Sequence, residues 1–296
     1  MKIDGVFSGG GVKAFAFIGA LEVLEEKGFT FERLAGTSAG AILASLLAAG
    51  YTVKEIELML MNLDLKKFLD TSIMDKYIPI CKVFSLYFTM GIYKGDAFEK
   101  WLYQRLAYKN VYTFRDLPEG LLKVVVADLS LGKIVVLPDD LERLYGIKPE
   151  SFLIATAVRM SASLPYFFRP KKLVNTKNQK SIIVDGAILS NTPMWIFDKD
   201  RSMRRRPLLG MNLSAAYDQI PEKKITNAFN LSEALVTTMR LAHDARYISK
   251  KHTDDLLFIP VKEVDVSDLS LSKDSKRDLI LFGKKRATSF LTHWPN

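Results

Sequence analysis

The pentapeptide Gly36-Thr37-Ser38-Ala39-Gly40 sets a serine between two glycines, each two positions away. An apolar segment ending Leu34-Ala35 precedes it, and the run Ala41 to Ala49, rich in helix formers and closed by Gly50, follows. The predicted order is strand, tight turn, helix, with Ser38 on the turn. Side chains at positions 36 and 40 would collide as the chain reverses, so small neighbours are what a nucleophile elbow requires. The hydroxyl would then stand at a helix N-terminus, where the dipole and the Ala39 N–H favour negative charge on an attacked carbonyl oxygen. Ordinary glycine-serine turns share these residues, so the chemistry depends on what surrounds them.

A second candidate is Ser8-Gly9-Gly10-Gly11-Val12-Lys13, between a strand at Lys2 to Phe7 and an amphipathic helix at Ala14 to Lys27 that ends at Gly28. Three adjacent glycines let backbone N–H groups approach an anion closely, and the next helix adds its dipole. Two chemistries compete for this loop, beside a plain turn. Gly9-x-Gly11-x-x-Ala14 fits the dinucleotide fingerprint, with Glu32 about twenty residues on as the ribose-binding acid. The other reading is an oxyanion hole, in which the Gly10 and Gly11 N–H groups face a tetrahedral intermediate at Ser38. A dinucleotide fold leaves Ser38 without a purpose, whereas acyl transfer uses both loops at once. A third candidate, Asp185-Gly186-Ala187, follows a strand at Ser181 to Val184, and Gly186 permits a turn that aims the carboxylate at the sheet's rim. An aspartate there also serves as a helix cap or turn former.

Two successive strand-loop-helix units place both glycine turns side by side at the carboxyl edge of a parallel sheet. The rest of the chain supplies the support. A helical pattern covers Tyr51 to Lys67, and a helix with Asp96 as its cap covers Asp96 to Ala107. Between them Ile78 to Tyr93 is apolar and aromatic, too short to span a bilayer, and reads either as core packing or as a cap that accepts acyl chains. Leu121 to Ala127 and Lys133 to Leu137 form a hairpin through Asp128 to Gly132. Ser151 to Met160 is predicted helical, Ser161 to Pro170 a proline-bounded aromatic loop, and Lys171 to Lys180 a polar surface loop. Strands at Pro207 to Leu213 and Asp255 to Pro260, with helices at Leu231 to Lys250 and Lys273 to Leu291, complete the chain without a repeat or long linker.

The 296 residues are 48% hydrophobic and 25% charged, enough for one large core or two modest ones. Cys81 is the single cysteine, so no intrachain disulfide forms; it reads as a small buried hydrophobe in a reducing compartment. Asp4 and Gly5 interrupt the N-terminus where a signal peptide needs an apolar core, and a cytoplasmic protein without a transmembrane helix is expected. The formal charge of +9 suits solubility or an anionic membrane surface. Its basic residues are scattered without interleaved aromatics, which argues against nucleic acid as a partner. No cluster of metal-ligand type occurs, and no metal or other cofactor is expected.

Taken together and in this order, Ser8 to Lys13, Gly36 to Gly40 and Asp185 to Ala187 resemble the patatin-like phospholipase family of serine lipid acyl hydrolases. The Ser161 to Pro170 stretch resembles that family's proline-aromatic segment. The resemblance covers about residues 3–198, and 199–296 read as strands and helices completing the same domain. It implies a three-layer α/β/α fold with a mainly parallel central sheet and a Ser-Asp dyad, Ser38 as nucleophile and Asp185 as base, with Gly9 to Gly11 as the oxyanion hole. Phospholipid or another acyl lipid is the implied substrate. Lys13 stands where the family usually has arginine, and Ala14 where it often has glycine; a lysine lacks arginine's planar fork for bidentate contacts. A conventional triad drawing on His243 or His252 is the competing mechanism, with His293 poorly placed for it near the C-terminus. A Rossmann-type oxidoreductase and a non-catalytic lipid-binding protein on the same fold are the competing functions.

Overall fold

The computed structural model describes residues 1–70, 86–198, 205–214, 225–226, 228–247, 254–261 and 269–295. Among them the strands are β1 (Lys2–Phe7), β2 (Thr30–Thr37), β3 (Gly91–Tyr93), β4 (Leu122–Asp128), β5 (Lys133–Leu137), β6 (Tyr166–Phe168), β7 (Lys171–Val174), β8 (Lys180–Asp185), β9 (Leu208–Asn212) and β10 (Leu256–Phe258). The α-helices are α1 (Phe15–Glu26), α2 (Ala39–Ala48), α3 (Val53–Met61), α4 (Asp96–Tyr108), α5 (Leu141–Tyr145), α6 (Ile154–Ser161), α7 (Ala228–Tyr247) and α8 (Lys273–Phe290). Cys81, His252 and the first half of the Ile78 to Tyr93 segment lie outside the described residues.

The main sheet runs β10-β9-β1-β2-β4-β8-β7. Neighbours from β10 to β4 are parallel, and β4, β8 and β7 alternate in direction. The register of β4 decides where the site can form. While β5 pairs with β4 from Val124 to Asp128, β2 pairs with Leu122 to Val125 and β8 with Val126 to Asp128. Thus β2 and β8 share one edge of β4 and meet end to end, Thr37 opposite Val125 and Asp185 opposite Val126.

Alternation along the strands divides the core between the two faces of the sheet. Ile3, Phe7, Leu34, Val124, Val126, Leu209 and Met211 pack on the larger face with α1, α2, α3, α4, α6 and α8. On the other, Val6, Ala35, Leu208 and Leu256 lie under Met194 and Phe197. Asp4 is buried on this thinner side and ion-paired to Arg33, whose guanidinium lies over the Phe197 ring. The result is a three-layer α/β/α fold with a mainly parallel sheet. Helices α1 and α8 cross at glycines: a Cβ on Gly19 would fall 1.9 Å from the Ile280 carbonyl oxygen, and one on Gly283 1.8 Å from that of Ala16.

Several elements differ from their predicted form. The polar stretch Lys171 to Lys180 is not a loop: β7 and β8 make a hairpin, turned by Asn175, whose side-chain oxygen accepts the Lys177 and Gln179 N–H groups. As an edge strand β7 buries only Leu173, so it carries too little apolar signal to read as a strand. The aromatic loop likewise contains β6, paired in parallel with β3. Tyr51 to Lys67 divides at Met61, because Lys276 of α8 enters from 216 residues away and donates to the Leu60 and Leu63 carbonyls. Asp96 is the first residue of α4 rather than its cap: the cap is Gly95 (φ 73°), and the Asp70 carboxylate accepts the Gly95 and Ala97 N–H groups. No helix among the described residues is long and apolar enough to cross a membrane.

Candidate active site

Ser38 follows β2 directly and precedes α2, with φ 54° and ψ −125°, a conformation that costs a non-glycine residue about 1–3 kcal/mol. The surroundings enforce it. A Cβ on Gly40 would lie 2.4 Å from the Phe7 carbonyl oxygen, and one on Gly36 2.6 Å from the Ala41 nitrogen. So the end of β1 presses against the elbow, and only glycine leaves it room.

The Ser38 hydroxyl donates to Asp185 Oδ2 at 2.5 Å. Asp185 Oδ1 accepts the Ala187 N–H at 2.9 Å, and the residue is only 2% exposed. Burial pushes its pKa up to about 6, while the hydrogen bonds from Ser38 and Ala187 and the charge of Arg240 hold it back from rising further. A carboxylate that binds a proton this readily is a better base than a solvated one, and the group it touches is a hydroxyl.

The glycine loop lies against this pair. A Cβ on Gly9 would come within 3.1 Å of both the Ser38 and Ala187 Cβ atoms. The Gly9 N–H donates to the Asn191 carbonyl at 3.3 Å, so Gly9 contributes closeness rather than a free donor. Gly10 and Gly11 occupy the N-cap and first position of a 3₁₀ turn, Gly11–Ala14, where N–H groups have no acceptor within the turn. Ser8 anchors the loop: its N–H donates to the Met211 carbonyl, and its hydroxyl accepts the Leu213 N–H and donates to the Gly9 carbonyl. Lys13 extends away to the Val261 carbonyl at 2.9 Å.

The remaining sequence candidates fall elsewhere. Glu32 stands near the start of β2, paired with Lys2 and Arg206. That is the end of the strand opposite the glycine loops, where it cannot serve a nucleotide bound at the carboxyl edge. His243 is half-buried on α7 beside Asp244, and His293 is exposed in the turn after α8. The proton of Ser38 is directed to a carboxylate, not to an imidazole.

One contributor opens the stretch that resembles the family's proline-aromatic segment, yet it is not among the predicted site residues. Ser161, at the end of α6 and fully buried, accepts the Ser38 N–H at 2.9 Å and donates to the Val125 carbonyl at 2.6 Å. Two residues on, the Ser163 carbonyl accepts the Asp185 N–H at 3.0 Å.

Residues 5–198 match the family model of patatin-like phospholipases, and the chain belongs to that family. At the level of the family it is a lipid hydrolase. The chain is 47% identical over 294 residues to the protein YqhO of Bacillus subtilis (strain 168), covering 99% of each. It is 25% identical over 283 residues to protein R571 of Acanthamoeba polyphaga mimivirus, covering 93% of this chain and 88% of that one. Among solved structures, VipD from Legionella pneumophila superposes with a TM-score of 0.56 at 19% identity, over 98% of this chain and 66% of that one. ExoU, in its heterodimeric complex with SpcU from the type III secretion system of Pseudomonas aeruginosa, gives 0.53 at 18% identity, over 99% and 51%. The chain thus spans about two thirds of VipD and half of ExoU, and the likeness to both is one of fold.

Proposed function

We propose that the protein is a lipid acyl hydrolase of the phospholipase A, lysophospholipase or esterase type, working through a Ser38–Asp185 dyad and an acyl-enzyme. The observation that carries this reading is the 2.5 Å contact from the Ser38 hydroxyl to a buried carboxylate whose pKa is raised. As Ser38 Oγ attacks the ester carbonyl, Asp185 takes its proton, and the new oxyanion meets the Gly10 and Gly11 N–H groups and the first N–H of α2 at Ala39. The alcohol leaves with the proton from Asp185. Water then attacks the acyl-enzyme, Asp185 receives its proton, and Ser38 is regenerated as the fatty acid departs. Gly9 serves by bringing the loop close to Ser38. The strands and helices after residue 198 belong to the same catalytic unit in this reading, since β9 and β10 extend the sheet from β1.

The substrate class rests on family membership and on apolar surface near the rim. Tyr87 and Phe88 are exposed, and the segment they lead into pairs, through β3 and β6, with the chain that leaves Ser163. A membrane-bound substrate also suits the net positive charge.

The test is hydrolysis of a short-chain p-nitrophenyl ester and a phospholipid by wild type, Ser38→Ala, Asp185→Asn and His243→Ala, with fluorophosphonate labelling of each. Labelling at Ser38, with turnover lost in the first two variants and kept in the third, is the expected result. Absence of labelling and turnover in wild type overturns the reading in favour of a lipid-binding protein on this fold.

A further inference from the structure

The end-to-end meeting of β2 and β8 on one edge of β4 leaves a fault in the sheet. A continuous neighbour would take the Val125 carbonyl into its ladder, but β2 turns away at Ser38 and β8 begins its pairing at Val126. Two backbone groups are thereby left without a ladder partner, the buried Val125 carbonyl and the part-buried Ser38 N–H, and an unmatched group away from water is expensive. The Ser161 hydroxyl satisfies both at once, donating to one at 2.6 Å and accepting from the other at 2.9 Å.

The segment that carries Ser161 is itself fixed. Ser163 holds the Asp185 N–H through its carbonyl, while its hydroxyl accepts from Arg159 Nη1 at 2.5 Å and donates to the Arg159 carbonyl at 2.9 Å. Arg159 is fully buried, and its guanidinium also donates to the carbonyls of Lys94, Gly95 and Arg169. The short segment from Arg159 to Ser163 therefore touches the backbone of the nucleophile through Ser161 and that of the base through Ser163.

We infer that Ser161-Ala162-Ser163, backed by Arg159, is the device that sets the distance between Ser38 and Asp185, and that Ser161 is a positioning residue for the nucleophile. This inference rests on the hydrolase reading above and deepens it. Ser161 touches no reacting atom. It acts by holding the strained elbow through the Ser38 N–H, so that the Oγ stays within reach of the carboxylate. Without the hydroxyl, the Ser38 N–H loses the side-chain acceptor that holds it and the Val125 carbonyl loses its donor.

The experiment compares the fluorophosphonate labelling rate of Ser38, and kcat and KM for an ester, in wild type, Ser161→Ala, Ser161→Thr and Tyr145→Phe. Tyr145 is a buried phenol on α5 bonded to Asp128, so its loss weakens the fold without touching the dyad. Misplacement of a reacting group by about 1 Å costs roughly a hundredfold, so labelling and kcat are expected to fall by about that factor in Ser161→Ala, with KM within about threefold. Ser161→Thr, which keeps the hydroxyl, and Tyr145→Phe are expected to label near the wild-type rate. Folded Ser161→Ala that labels like wild type overturns the inference. So does Ser161→Thr that folds but labels no faster than alanine, or a loss in Tyr145→Phe matching that in Ser161→Ala. Failure of wild type to label would strike the hydrolase reading instead, which keeps the two failures apart.

Discussion

Asp128 and Asp185 are both buried aspartates at strand ends, both bonded to a hydroxyl, and they sit two rungs apart on the same ladder. Asp128 closes β4, where its Oδ1 accepts the Ser130 and Leu131 N–H groups and its Oδ2 the Tyr145 hydroxyl. Every donor around it belongs to the hairpin or to a phenol whose pKa burial drives upward, so its proton stays where it is. Asp185 has one backbone donor, Ala187, and its other oxygen faces a serine on a strained turn beside loop N–H groups that have no acceptor within their own turn. Burial is the same; the company differs. A well-bonded buried carboxylate organises a turn, and a sparsely bonded one is left with basicity to use.

The comparison breaks most readily at the hydroxyls. Ser38→Ala and Asp185→Asn are each expected to lower ester turnover at least about a thousandfold, while Asp128→Asn keeps turnover per folded molecule within about threefold. Equal losses at both aspartates, measured on protein verified as folded by circular dichroism, would erase the distinction. Next comes pH. Because the base must be deprotonated, kcat/KM is expected to fall about tenfold per pH unit below about pH 6 and to level off above it. A profile flat from about pH 5 to 8 would contradict the raised pKa.

Stability supplies the finer contrasts. Between the ordinary value of 3.8 and about 6, the folded chain holds a proton at Asp185 that the unfolded chain has released. Stability is therefore greatest at the acid end of that window, falls as pH rises through it, and stays lowered above. Asp185→Asn is expected to be more stable than wild type by about 1–3 kcal/mol near pH 7.5, with the difference gone below about pH 4, in urea titrations. Tyr145→Phe goes the other way, losing about 1–2 kcal/mol because Asp128 Oδ2 is left short of a donor, with its pH–rate profile unmoved.

What could be read from the chain beforehand follows the range of the interactions. The elbow, the glycine loop and Asp185-Gly186 are local patterns, and the β4–β5 hairpin is a pair of β-branched runs around a turn between Leu122 and Leu137, so each is visible within a short stretch of chain. The partners are not. Lys276 stops α3 from 216 residues away, Asp70 caps α4 from a separate loop, and Ser161, in a stretch whose family resemblance assigns it no role, reaches Ser38 across 123 positions. Glu32 shows the reverse error: its spacing fitted a ribose ligand, but register puts it at the wrong end of β2.

The fault on β4 also has a consequence in time. Ser38 and Asp185 are 147 residues apart, and a ribosome adding about 5–20 residues per second needs roughly 7–30 s to pass from one to the other. During that interval the nascent chain carries a serine with no base, and β1, which bears the glycine loop, waits longer still for β9 to dock beside it. On the proposed reading, a chain able to cut lipids is harmless to nearby membranes until its own second half has arrived.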